Sequence, residues 1–203
     1  MPEVSAPQAL ETVTPTTRIH VDDPFAAVKL ANDLGACLQN VDGAGARPKV
    51  LLCIGTDRST GDSLGPLVGS RMERLDQDLF IVRGTLADPV HATNLADTLT
   101  AIEREYGNPL IIAVDACLGY LENVGCVTVG EGSLKPGAGV KKSLPPVGDL
   151  HITGVVNVGG FMEYLVLQNT RLNLVMRLAD LIVDGLALMA GKHRRFSCQA
   201  HPF

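Results

Sequence analysis

The chain has 203 residues, 46% of them hydrophobic and 19% charged, with a formal net charge of −5. That balance excludes a mainly disordered chain, and without a basic stripe there is no surface to track a nucleic-acid backbone. Aromatics reach only 4% and Trp is absent, which argues against base-stacking platforms and Trp-lined sugar sites. Glycine is in excess: 21 residues, 16 of them between Gly55 and Gly160, against a typical usage of ~7%.

Residues 1–17 carry Pro2, Pro7, Pro15 and four threonines, and residues 1–20 are expected to form a flexible tail. A single α/β domain is expected over 21–195, with a short C-terminal tail at 196–203. The domain opens at Asp22-Asp23-Pro24, acidic residues and a first-turn proline that predict a helix start. Phe25, Val28, Ala31, Leu34 and Leu38 recur at helical spacing, and Asn40 to Pro48 reads as a loop. Val50 to Ile54 is then a continuous apolar run, the pattern of a strand buried on both faces. A helix is predicted over Leu64 to Leu75, a short strand over Leu79 to Val82, and an amphipathic helix over Asn94 to Tyr106. Pro109 to Asp115 is another buried-strand run, and Val124 to Val129 and Ile152 to Val158 read as two more strands. A short helix is expected near Leu165 to Leu167, and a closing helix over Leu172 to Met189. This alternation predicts a three-layer α/β/α domain with a mostly parallel sheet.

No segment approaches the ~18 apolar residues of a membrane span, and Met1 to Val4 does not open a secretory signal. Five cysteines, an odd number without a C-x-x-C pair, read as buried thiols of a reducing cytoplasm. Lys192-His193-Arg194-Arg195 reads as a solvated helix C-terminus.

In open α/β sheets ligands bind beyond the carboxyl ends of the strands, and two loops stand out there. The first, Gly55 to Pro66, resembles a phosphate-binding loop only superficially. Its glycine spacing is one residue too long, and Asp62 stands where a phosphate loop carries lysine. A carboxylate there repels phosphate but can hold a water or a metal; its alternative role, shared by Asp57, is capping the turn. The second loop begins at Asp115, which follows five apolar residues. Two carboxylates converging from neighbouring strand ends can share a proton as an acid–base pair or bind a cation jointly. His151, in Gly148-Asp149-Leu150-His151-Ile152-Thr153-Gly154, would add a third ligand suited to Zn, Ni or Mn. His91 is a weaker candidate for the same rim. Gly130 to Gly148 is either a flap over the crevice or a long connection, with Lys141 and Lys142 as solvated charges.

Three motifs in order, Cys53-Ile54-Gly55-Thr56-Asp57-Arg58-Ser59-Thr60-Gly61-Asp62-Ser63-Leu64-Gly65-Pro66, Val114-Asp115-Ala116 and Gly137-Ala138-Gly139-Val140, resemble the YyaC family of spore proteases. That family is related to the germination protease that degrades small acid-soluble spore proteins, and to hydrogenase maturation proteases. The resemblance covers roughly Lys49 to Met189 and implies the hydrolase-like sheet fold of those enzymes. It implies that Asp62 and Asp115 match two essential aspartates of the germination protease. It also implies that Asp62, Asp115 and His151 match the metal-binding set of the maturation proteases. The chain departs from the germination protease in its shorter length and altered first loop, and zymogen control is not expected. The function implied is a cytoplasmic endopeptidase of the sporulating cell or spore, acting on a protein or peptide such as a small acid-soluble spore protein. Neither nucleic acid nor membrane is expected as a partner, and self-association stays open. The alternative is a non-catalytic sporulation module that keeps the pocket for binding.

Overall fold

The computed structural model describes residues 17–137, 144–160 and 162–199, with side chains described as far as Gly191. The chain forms β1 (Thr17–His20), α1 (Ala26–Val41), β2 (Lys49–Cys53), α2 (Leu64–Met72), β3 (Phe80–Arg83) and α3 (Leu95–Tyr106). It continues through β4 (Leu110–Gly119), β5 (Cys126–Glu131), β6 (Leu150–Val158), α4 (Glu163–Gln168) and α5 (Leu172–Gln199). Short 3-10 turns precede α2 (Gly61–Ser63) and β5 (Leu121–Asn123).

The six strands form one sheet in the order β1-β5-β6-β4-β2-β3. β3, β2, β4 and β6 run parallel, while β5 and β1 are antiparallel additions at one side. The three layers are visible in the alternation of β2. Leu51 and Cys53 pack into a core with Leu34 of α1, Val68 of α2 and Leu178 of α5. Val50, Leu52 and Ile54 point to the opposite face and meet Leu95 and Ile102 of α3, with Leu134 and Val147. Because both faces of β2 are covered, Val50 to Cys53 are apolar without interruption, and Lys49 at the strand's start is paired with Asp42, Nζ to Oδ2 at 3.2 Å. On the first face, α1 and α5 touch so closely that a Cβ on Gly185 would lie 2.5 Å from Leu30 Cδ2.

The second face is closed by α3 and by a ladder between the ends of β5 and β6. Leu134 and Val147 exchange both backbone hydrogen bonds at 2.9 Å, and Gly132 N–H donates to the Asp149 carbonyl at 2.7 Å. Below it, Asp149 accepts from the Arg47 guanidinium and from Ile111 N–H (2.9 Å). The stretch Gly130 to Gly148, read from sequence as either a flap or a long connection, is paired at its base, and its residues 138–143 lie outside the described residues.

Four boundaries differ from the sequence reading. Thr17–His20, expected within the tail, is an edge strand whose register runs from Thr17 opposite Val129 to His20 opposite Cys126. It buries a single side chain, Ile19, at 1% exposure; one apolar residue in four gives no period to read. Residues 1–16 lie outside the described residues. In α1, Phe25 is 66% exposed and Val28 is also exposed, while Leu30 is buried with Ala31, Leu34 and Leu38. The buried stripe starts later because Asp23 carries the turn into the helix, its Oδ1 accepting Phe25 N–H at 2.9 Å. β4 continues four residues past Asp115 to Gly119, because β6 keeps pairing with it after β2 has ended. Finally, α5 extends through Gln199, into the expected tail of 196–203; the side chains of Lys192 to Arg195 and residues 200–203 lie outside the described residues.

Candidate active site

The pocket forms at the carboxyl ends of the parallel strands. After Ile54 the chain must turn sharply, and Gly55 takes φ +142° with Thr56 N–H donating to the Asp62 carbonyl at 3.0 Å. A Cβ on Gly55 would sit 2.0 Å from that carbonyl oxygen, so only glycine closes this loop. A second close approach follows at Gly65, whose added Cβ would fall 2.1 Å from the Ile54 carbonyl oxygen. These two contacts press the 3-10 turn Gly61–Ser63 onto the end of β2 and carry Asp62 inward. Neither that turn nor α2 has a side-chain cap, so Asp62 does not serve as one; Asp57 is exposed.

Asp115 arrives from the neighbouring strand. It pairs with Thr153 of β6, one step beyond the last β2–β4 pair, Cys53 with Val114. Its side chain is 7% exposed, and Ala116 N–H donates to its Oδ1 at 2.8 Å. Both carboxyls line one cavity of about 290 Å³. Its other walls come from Ser59 of the first loop, Cys117 of β4, Leu134 and Leu144 of the β5–β6 connection, and Tyr164 of α4.

Burial pushes the Asp62 carboxyl up to about 6, against which the Thr56 backbone N–H pulls. Burial also raises Asp115, well above its ordinary value, and the Asp62 charge adds to the rise; the Ala116 hydrogen bond opposes it. The Asp62 charge therefore acts on Asp115, and the two carboxyls are electrostatically coupled. Two carboxyls raised and coupled in this way can serve as an acid–base pair.

Cys117, two residues beyond Asp115 on the same strand, does not compete as a nucleophile. Burial drives its thiol to about 11, with a Thr153 hydrogen bond opposing and the Asp115 charge assisting, so the thiolate is scarce at neutral pH. Thr153 is itself held by Thr128, the two hydroxyls lying 2.6 Å apart. Ser59 Oγ is buried and makes no hydrogen bond.

His151 sits on the same face of the sheet as Asp115 but opposite Ala113, one pleat back along β6. Its Nδ1 is 3.0 Å from the Gly132 carbonyl oxygen, and it does not line the cavity. The Asp62, Asp115 and His151 set is not assembled. Among the described residues no three His, Cys, Asp or Glu side chains converge to hold a metal ion. The donor set that does converge is a coupled pair of carboxyls, both raised by burial. It does not fit the three-ligand metal site expected from sequence, and no step below uses a metal.

Residues 18–185 match the family described as "Protein of unknown function (DUF1256)". The chain belongs to this family. A relative in Bacillus subtilis (strain 168), described as "Uncharacterized protein YyaC", is 55% identical over 166 residues, covering 82% of this chain and 80% of the relative. Among solved structures, a NiFe hydrogenase maturation protease HycI from Thermococcus kodakarensis KOD1 is similar at 18% identity and a TM-score of 0.42. That match covers 74% of this chain and 98% of the other. Among the described residues of this DUF1256 chain, no helix is long and apolar enough to cross a membrane.

Sequence reasoning did not point to Cys117, Thr153, Ser59 or Tyr164 as site residues of the DUF1256 pocket. A signal for Cys117 existed, because residues two apart on a strand share a face. Nothing in sequence ties Tyr164 to Asp62; α4 reaches the first loop through tertiary packing, with Leu167 Cδ2 set 2.8 Å from where a Gly61 Cβ would stand.

Proposed function

We propose that this protein is a peptidase in which Asp62 and Asp115 activate a water against a peptide carbonyl. The observation that carries the reading is the pair itself. Two carboxyls, one from the loop after β2 and one from the neighbouring parallel strand β4, line one pocket, both displaced upward by burial and Asp115 also by the Asp62 charge.

The Asp62 carboxylate accepts a proton as the water oxygen bonds to the carbonyl carbon. Asp115, protonated, donates its proton to the carbonyl oxygen. Ala116 N–H occupies Asp115 Oδ1, so that proton is carried by Oδ2. In the second half the proton on Asp62 passes to the amide nitrogen, the C–N bond breaks, and Asp115 recovers its proton from the collapsing diol. The cavity, about 290 Å³ and lined by Leu118, Leu134, Leu144 and Leu167, has room for an apolar side chain and its flanking amide. It lies at the small end of the ~300–1,000 Å³ of small-molecule sites, which disfavours a nucleotide.

The substrate we assign is a protein. Small acid-soluble spore proteins are the first choice, within the cytoplasm of a sporulating cell or spore, because the three ordered motifs resemble spore proteases. The test is incubation of the purified chain with these proteins and with casein, fragments being read by mass spectrometry. Asp62→Asn and Asp115→Asn should each lose cleavage by at least ~100-fold, the scale of general acid–base catalysis. Cleavage retained in both variants refutes the acid–base roles. Binding of the spore proteins without cleavage by the wild-type chain favours the non-catalytic module.

A further inference from the structure

His91 stands on the pocket rim outside the acid–base pair, in a connection built with unusual care. Val90 pairs with Ile54 in a parallel bridge, and Gly55 N–H donates to the Val90 carbonyl at 2.8 Å. The connection is thereby tied to the first site loop one residue before the histidine. Asn94 holds it from the other side. Its Oδ1 accepts His91 N–H at 2.8 Å, and its Nδ2 donates to the Pro89 carbonyl at 3.0 Å. Its own N–H donates to the His91 carbonyl at 3.1 Å. Asn94 immediately precedes α3, where an asparagine side chain ordinarily caps the helix. Here it makes no cap bond. The amide is committed to the histidine's backbone instead.

The ring is oriented as well. Nδ1 lies 2.8 Å from Thr93 Oγ1, so Nε2 is the ring nitrogen outside that contact, and His91 lines the cavity. The loops after β3 and β2 and the neighbouring strand β4 thus supply His91, Asp62 and Asp115 to one space. Tyr164, also on the wall, has its hydroxyl engaged by Gln168 Nε2 at 2.9 Å.

We propose that His91 is a substrate-binding residue of this pocket, its Nε2–H donating to a carbonyl of the polypeptide held against Asp62 and Asp115. The Thr93 hydroxyl donates to Nδ1 and so keeps the ring proton on Nε2. Asn94 is the positioning residue. The identity of the ligand rests on the peptidase reading; the availability of Nε2 does not.

The experiment uses the full chain labelled with 15N-histidine, titrated with the capped peptide acetyl-leucyl-leucinamide and followed by long-range proton–nitrogen spectra. His91 is assigned by the signal lost in His91→Gln. The expected result is an Nε2–H tautomer in the free protein and an Nε2 resonance that moves saturably with peptide. Asn94→Ala should weaken that titration by about 3- to 10-fold, the scale of one mispositioned hydrogen bond. In cleavage assays His91→Gln should raise KM by the same factor with kcat unchanged. An Nδ1–H tautomer, an Nε2 resonance that stays in place, or a fall in kcat at constant KM overturns the proposal. Failures separate cleanly. Cleavage with an unmoved Nε2 removes the His91 role and keeps the peptidase; a moved Nε2 without any cleavage does the reverse.

Discussion

Asp62→Asn should make the protein more stable at neutral pH, although it removes a proposed catalytic group. The Asp62 carboxyl rises from an ordinary 3.8 to about 6 because folding strips its water. Between those values the native chain holds a proton that the unfolded chain has released, so wild-type stability falls as pH rises through the window. Above it the native state carries the full cost of a buried charge. At about 1.4 kcal/mol per pKa unit, that cost is about 3 kcal/mol. Asparagine has nearly the same shape and cannot ionise, so the variant escapes it. The stability of Asp62→Asn relative to wild type should be near zero below pH 4 and rise to about 3 kcal/mol by pH 7. In a chain of this size that corresponds to roughly 6–12 °C in Tm. Urea denaturation of both proteins at pH 4, 5, 6, 7 and 8 measures the difference. Taking the difference cancels exposed carboxylates such as Asp22 and Asp23, held low by Arg177 and Lys29, which titrate below this window in both proteins. A difference that is flat across the series, or that shrinks as pH rises, refutes the burial of Asp62 and with it the assignment of base and acid.

Other consequences are as direct. With Asp62 as the base, kcat/KM for cleavage should rise with pH through a midpoint of about 6; a profile level from pH 4 to 8 contradicts it. Gly55→Ala, at φ +142° with the Asp62 carbonyl in the way, should cost at least ~1–3 kcal/mol in urea denaturation and disrupt cleavage. Wild-type stability in that variant rejects the loop geometry. Ile19→Ala should lose about 2 kcal/mol or more and speed amide exchange at Val127 and Val129, since Ile19 is the one buried side chain of β1; unchanged exchange there shows that β1 is not part of the cooperative fold. Because His151 stands apart from the carboxyls, EDTA and His151→Ala should each leave cleavage within about twofold. Loss under EDTA with recovery on adding zinc restores the metal set to contention.

The buried runs Val50 to Ile54 and Leu110 to Asp115 were legible because a strand covered on both faces cannot tolerate a polar interruption. The stripe Leu95, Leu99, Ile102 and Tyr106 was legible because a helix on a sheet shows its period, and all four pack into the second core. The first loop was readable as far as its glycines and Asp62. Beyond that the signal failed for identifiable reasons. β1 buries one residue. α1 offered two overlapping stripes, and the choice between Val28 and Leu30 depended on where Asp23 turned the chain. Asp115 looked like the end of a strand because the apolar run stops there, yet pairing with β6 carries β4 on to Gly119.

The composition and patterning of this chain by themselves determined an α/β sheet covered on both faces and two aspartates just beyond apolar runs. Local alternation reports how often a residue meets the core, and that is a property of a few neighbouring residues. Which loops share one end of the sheet is not local. Tertiary structure alone brought Asp62 and Asp115 into one cavity, held His151 one pleat away against the Gly132 carbonyl, and set His91 on the rim through Asn94. It also decided the chemistry of the two aspartates. Folding removed water from both side chains and placed the Asp62 charge beside Asp115, which raised both carboxyls.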